Sequence, residues 1–344
     1  MPRRPRKRAY WWADMPTEEL LDVRLCDLEL RIEGSALQRR VDRLYAELQR
    51  KKMRFRPYVW LSTDWFTPER TTGFAIPFYL AHPRLTRIER SQMLEAEGST
   101  ADWCMRLLRH ETGHALDNAY RLHHRKIWRE TFGYYSEPYR SDYRPRPSSK
   151  NFVQNLGHWY AQSHPAEDYA ESFAVWLMPR SSWRRTYEGW PALNKLETLN
   201  ELLQDLRRAK PKVRTRDRPE SLPRVKRTLR EHYACKKADY HKPQTWTHDR
   251  ELSWLFTEPS PAFRRERAAT FLHRMCNELR TRVSSLTGHH RYVVDQALHA
   301  MITRCKELDL RLMRSRQQTR LGSAVLLTMI TLTYANGRKP VFRR

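Results

Sequence analysis

His110-Glu111-Thr112-Gly113-His114 is the stretch of this chain whose residue types and spacing could do chemistry. A helix turns about 100° per residue, so imidazoles four positions apart share a face and aim at one point. Glu111 lies beside them, placed to act on a water held at that point. Two imidazole ligands and a carboxylate base on one helix are the core of a zinc hydrolase site. The chain carries 14 His and 39 acidic residues, so the spacing alone can arise by chance. A third ligand in a suitable context has to decide.

The elements that would position these groups can be read independently of the motif. Residues 101–122 have helical periodicity: Leu107, His110, His114 and Asp117 follow at three- or four-residue steps, Trp103 lies one turn earlier, and no proline interrupts. Ser99-x-x-Asp102 reads as the start, a side-chain oxygen for unpaired amides and an acid near the positive helix end. Gly113 costs about 1 kcal/mol against Ala in mid-helix, a cost that a closely packed backbone would explain. The second informative stretch is 158–174. There Ser163 or His164 can cap a helix, Pro165 suits its first turn and Pro179 ends it. Glu167 and Glu171 are one turn apart and share a face. One of them can bind zinc while the other accepts a hydrogen bond from a ligand imidazole. Paired acids are ordinarily a solvated face. Their position downstream of an H-E-x-x-H stretch makes this pair informative.

H-E-x-x-H followed by a helix bearing E-x-x-x-E resembles the gluzincin class of zinc metallopeptidases. His110 to Asp117 together with Glu167-Asp168-Tyr169-Ala170-Glu171-Ser172-Phe173 is similar to the catalytic motif of the anthrax lethal factor type. That type also has a tyrosine seven residues before its zinc glutamate, where this chain has Tyr160. Residues 55–200 resemble more closely an uncharacterised bacterial family of zinc-binding metallopeptidases. The likeness is carried by Ile76-Pro77-Phe78-Tyr79-Leu80-Ala81-His82-Pro83-Arg84-Leu85, by 108–114, and by 159–168. The resemblance implies a zincin-like fold and Zn2+ held by His110, His114 and Glu167, with one position of a tetrahedral ion left for water. It implies peptide-bond hydrolysis in which Glu111 takes the water's proton and delivers it to the leaving amine. Tyr160 would donate to the oxyanion. Glu171 would orient a ligand imidazole, and Asp117, one turn past His114, is a weaker candidate for the same task. His123, His124, His158 and His164 read as surface or cleft residues, His164 being the one nearest to a rival ligand.

The remainder of the chain frames this centre. With 344 residues, 40% hydrophobic, 12 Trp and 16 Tyr, it can bury a substantial core and is not a disordered chain. Cys26, Cys104, Cys235, Cys276 and Cys305 form no C-x-x-C pair and are odd in number, which points to a reduced, cytoplasmic protein. Basic residues 1–8 are followed by no apolar segment, so secretion is not expected. The longest apolar run, 321–334, is too short to span a bilayer, and no membrane partner is expected.

Residues 17–52 read as two helices. Thr17 can cap the first, which carries Leu20, Leu21, Leu25 and Leu28. After Gly34-Ser35 the second carries Leu37, Val41, Leu44 and Leu48. Residues 58–62 and 73–80 are β-prone, and Pro77 demotes the latter to an edge strand or a bulged one. An edge strand is a place where a peptide substrate could add as a further strand. Residues 132–151, rich in Tyr, Arg and Pro, read as a long loop and a possible cleft wall. A helix ends the first domain near 208, and prolines among basic residues suggest a linker over 209–224. Helices are then expected over 224–238, 262–286 and 289–319, with 321–334 a helix or a strand.

The expectation is therefore an α+β protein: a zincin-like domain over 1–208, with a small sheet and active-site helices, and a basic, mainly helical domain over 225–344. The net charge is +26, and residues 201–344 hold 32 Lys and Arg against 14 Asp and Glu. Besides a protein or peptide substrate, that surplus could meet nucleic acid or an acidic partner. The alternative function is a nucleic-acid-associated zinc protein that acts on, or only binds, DNA- or RNA-bound proteins.

Overall fold

The computed structural model describes residues 10–139, 146–157, 159–207, 209–240, 248–260 and 265–336. His158, one of the histidines read above as surface or cleft, lies outside them, as does 140–145 within the long loop. The described residues are rich in helix, with two small sheets, an α+β composition. The described residues divide into two units: 10–90 with 96–232, and 91–95 with 233–336.

The first unit is built on helices whose starts are chemically marked. Ser35 caps α1 (Ala36–Arg50), accepting from the Leu37 and Gln38 amides, and Leu37, Val41, Leu44 and Leu48 are buried along one stripe. Thr17 is the first residue of the short helix Thr17–Leu21 and not its cap, since Pro16 holds that position without a side-chain bond. Strand β1 (Tyr58–Ser62) pairs in parallel with β2 (Gly73–Pro77), Trp60 opposite Ala75. Pro77 is the last residue of β2, where the ladder needs no further amide. The strand is not an open edge: Phe66 bridges Ala75 in the antiparallel sense, the Ala75 amide donating to the Phe66 carbonyl at 2.9 Å, and all five residues of β2 are buried. A substrate strand adding at Ala75 would have to displace Phe66.

Helix α2 (Ala101–Tyr120) begins one residue later than Ser99-x-x-Asp102 suggests. Thr100 is the cap, its hydroxyl accepting from the Trp103 amide, and the Gly98 and Ser99 carbonyls are engaged by the Arg40 guanidinium instead. Helix α3 (Pro165–Leu177) starts at His164, whose Nδ1 accepts from the Ala166 amide, with Pro165 as first residue. The two helices cross at Gly113. A β-carbon there would stand 3.0 Å from the Ala170 Cα and 3.2 Å from the Phe173 Cβ, so the glycine is what lets the backbones approach. Arg109, one residue before the motif, makes a buried two-pronged bond to Glu47 of α1, 2.8 and 2.9 Å, which ties α2 to α1.

Helix α4 (Ala192–Leu206) packs on α3 and presents Lys195 to Asp168. The segment 209–224 lies on the first unit. The Lys212 and Val213 amides donate to the Ala119 carbonyl, and the Trp60 indole and Ser62 hydroxyl donate to the Pro219 and Glu220 carbonyls. The change of unit falls at His232–Tyr233, within the helix Leu229–Tyr240.

The second unit is a bundle of α5 (Ala268–Thr287), α6 (Arg291–Glu307) and α7 (Arg316–Asn336) around Phe271, Leu272, Leu279, Leu298, Met301, Leu327 and Ile330. The helix expected over 289–319 is interrupted. Strand β4 (Arg311–Leu312) pairs antiparallel with β3 (Phe256–Thr257), and the Ala268 amide donates to the Leu310 carbonyl. Residues 321–334 fall in α7 and are helical. No described helix is long and apolar enough to cross a membrane.

Candidate metal centre

The α2–α3 crossing brings His110, His114 and Glu167 to one point. Nε2 of His110 stands 3.1 Å from Nε2 of His114 and 3.0 Å from Oε2 of Glu167, and the third edge, His114 to Glu167, is 3.3 Å. Three lone-pair-bearing atoms so close need a shared proton or a cation between them. Ligands about 2.0–2.1 Å from a tetrahedral ion lie about 3.3 Å apart, so the triangle fits a small ion with slight opening. Among the described residues this is the group of three that could hold a metal ion.

Glu171 fixes one ligand. Its Oε1 lies 2.8 Å from Nδ1 of His110 and accepts from Nδ2 of Asn155 at 2.9 Å, and its Oε2 accepts from the Leu156 amide at 2.7 Å. An acceptor at Nδ1 keeps the proton there and turns the bare Nε2 toward the centre. Glu167 is fixed at its other oxygen, where the Tyr139 hydroxyl donates to Oε1 at 2.7 Å. Burial resists a charge on His110, yet the hydrogen bonds and charges of Glu167 and Glu171 hold its pKa well above the usual imidazole value. Glu167 is the mirror case: burial would raise it, but His114 and His110 hold its carboxyl well below the usual range.

Glu111 is buried on the same helix. Its Oε2 accepts from the Thr67 hydroxyl at 2.7 Å, and the Asn118 amide holds the adjoining Pro68 carbonyl at 3.0 Å. Burial pushes the Glu111 carboxyl up, while His110, His114 and the Thr67 bond pull the other way. The Tyr160 ring lies 5.6 Å from the His110 ring. Burial, with the charges of Glu167 and Glu111 nearby, pushes its phenol pKa well above 10, so it stays a protonated donor.

Two expectations are settled by where side chains go. Asp117 does not touch either ligand imidazole. Past the left-handed Arg121 the chain turns back, and Asp117 accepts the His123 amide at 2.9 Å and faces His123 Nδ1 at 2.5 Å. It secures the helix end instead. His164, the rival ligand, has both ring nitrogens engaged, Nδ1 with the Ala166 amide and Nε2 with the Glu137 carbonyl at 2.7 Å.

Thr67, Tyr139 and Asn155 were not foreseen. Tyr139 falls in the loop marked above as a cleft wall, but nothing in its spacing singled it out, and Thr67 and Asn155 carry no periodic signal at all. Next to the centre, Asp168 is pushed up to about 7 by burial, against the Lys195 ammonium beside it.

Compared with family models, with curated proteins and with solved structures, the chain matches none.

Proposed function

We propose that this chain is a zinc-dependent metallopeptidase of gluzincin type, with a zincin-like catalytic unit, hydrolysing peptide bonds in a protein or peptide substrate. The observation that carries the reading is a buried carboxylate, Glu111, on the same helix turn as two imidazoles that converge on a third ligand from another helix. Two histidines and one glutamate are a donor set of catalytic zinc, and they leave one tetrahedral position to solvent or substrate. Zinc there would supply Lewis acidity, polarising a carbonyl and lowering the pKa of water to about 7.

The residues of the chain do the rest. Thr67 holds Oε2 of Glu111, which leaves Oε1 to take a proton from the attacking water and pass it to the leaving amine. Desolvation raises the basicity of Glu111, which suits a base that must release its proton again. The Tyr160 phenol donates to the oxygen on which charge develops. Five cysteines that form no disulfide among themselves support a reducing compartment, the cytoplasm.

The test is the Glu111→Gln variant of the full chain beside the wild type, in zinc content, thermal melting and hydrolysis of a broad peptide library. The expected outcome is about one zinc per chain in both and turnover lower by about 10²–10⁴-fold in the variant, as for loss of a general base. Wild-type protein that holds zinc and cleaves nothing, or Glu111→Gln that cleaves as well as wild type, would overturn the reading.

A further inference from the structure

Glu167 is held by more than the two histidines. Its Oε1 takes a 2.7 Å hydrogen bond from the Tyr139 hydroxyl, and its Oε2 alone faces Nε2 of His110 and His114. A carboxylate with both oxygens open to an ion can chelate it and fill an additional coordination position. One whose second oxygen accepts a strong hydrogen bond is biased toward binding through the first.

The Tyr139 ring is itself seated. It lies flat on the His164 imidazole, ring centroids 3.9 Å apart and planes within 10°. His164 cannot turn without loss: Nδ1 accepts the Ala166 amide at the start of α3, and Nε2 donates to the Glu137 carbonyl two residues before Tyr139. A ring flip would set C–H groups against both partners, and the opposite tautomer would set N–H against N–H and a lone pair against a carbonyl. The cap of the helix that carries Glu167 thus also carries the platform for the tyrosine that orients Glu167.

We propose that Tyr139 is a positioning residue, seated on His164, that holds Glu167 as a one-oxygen ligand and so keeps the fourth coordination position available. The inference rests on the metal-centre reading above. It separates two tyrosines by role: Tyr139 belongs to the ligand shell and Tyr160 to the reacting oxygen.

The experiment uses the full chain loaded with Co2+ as a spectroscopic stand-in, and with Zn2+ for affinity by chelator competition. Wild type is expected to give the intense visible bands of four-coordinate cobalt. Tyr139→Phe keeps the stacked ring and loses only the hydroxyl. It is expected to shift toward the weaker bands of five-coordination and to bind zinc about 10–100-fold more weakly, the usual cost of losing an outer partner of a ligand. His164→Asn keeps an N-cap oxygen but removes the platform, and should move both readouts the same way by less. It also serves as the second variant if Tyr139→Phe does not fold. An unchanged cobalt spectrum and zinc affinity in Tyr139→Phe would overturn the proposal, even if turnover fell, since the hydroxyl would then belong with substrate. Wild type that takes up neither cobalt nor zinc would remove the metal centre itself, a result distinct from failure of the tyrosine's role.

Discussion

In the first unit, α2 and α3 bury Arg109, His110, Glu111, Asp117, Glu167, Asp168 and Glu171. In the second, α5, α6 and α7 meet mainly over aliphatic side chains such as Leu279, Val294, Leu298 and Leu327. Its buried polar groups are Asp295, which Arg280 and His299 flank, and the uncharged Thr319, Ser323 and Thr331. Taking an ionisable group out of water costs several kcal/mol unless it is paired and hydrogen-bonded. Apolar residues of similar size would hold two helices together at least as well. The α2–α3 charges therefore do not serve adhesion. Each has a partner of opposite demand: Glu47 for Arg109, Glu171 for His110, Thr67 for Glu111, His123 for Asp117, Lys195 for Asp168. Where a chain keeps that many ionisable groups in its interior and gives each a partner, chemistry is the economical explanation. Where it buries mainly hydrocarbon, stability is.

The contrast breaks most visibly at Arg109 and Leu298. Arg109→Met leaves the buried Glu47 carboxylate with the surface Arg43 as its remaining cation, and is expected to lower unfolding free energy by about 3–5 kcal/mol. Leu298→Ala opens a cavity in the second unit and should cost about 2–5 kcal/mol, yet leave zinc stoichiometry unchanged at temperatures where the chain stays folded. Urea unfolding with metal analysis checks both. Zinc loss from folded Leu298→Ala would erase the distinction between the two interiors.

A smaller effect is expected at Glu171. Glu171→Gln turns one acceptor oxygen into a donor that meets Asn155, Leu156 or His110 wrongly, and zinc affinity should fall by about 10–100-fold. Chelator competition at pH 7.5 measures it, and an unchanged affinity would mean that Glu171 does not set the His110 tautomer.

The finest test is pH. His110 must give up its proton to present Nε2, and its pKa is held above the ordinary value by Glu167 and Glu171 against the pull of burial. Zinc affinity should therefore begin to weaken at a higher pH than for an ordinary imidazole, by about tenfold per pH unit for each proton displaced. Without metal the sign reverses. A raised pKa in the folded state stabilises fully below the unfolded value of about 6.5 and is lost as pH rises through the folded value. Glu167, held low, stabilises above its unfolded value of about 4.3 and loses that as pH falls through its folded value. Metal-free chain should thus melt higher near pH 6 than near pH 9. Identical melting at the two would exclude a protonated His110 in the metal-free state.

Part of this is legible in the sequence. His110, Glu111 and His114 are related by helical spacing, and so are Glu167 and Glu171. Gly113 announced a close approach, and Ala170 with Phe173 supplies it. The second unit was less legible: within the helix expected over 289–319, no residue type marks the end of α6 at Glu307 or the pairing of Leu312 with Phe256. A short hydrophobic run takes its conformation from what it packs against.

The sequence by itself determined the ligand-bearing faces, because the 3.6-residue period is a local property of the backbone and needs no partner to be read. Tertiary structure alone decided which acceptor each donor met. Tyr139 reaches Glu167 across 28 residues, Thr67 reaches Glu111 across 44, and Asn155 reaches Glu171 across 16. Asp117 is taken by His123 and His164 by a helix cap. These outcomes are competitions among polar side chains for a few buried partners. They are settled only when the crossing of α2 and α3 brings the competitors within about 3 Å of one another, the range in which a hydrogen bond forms.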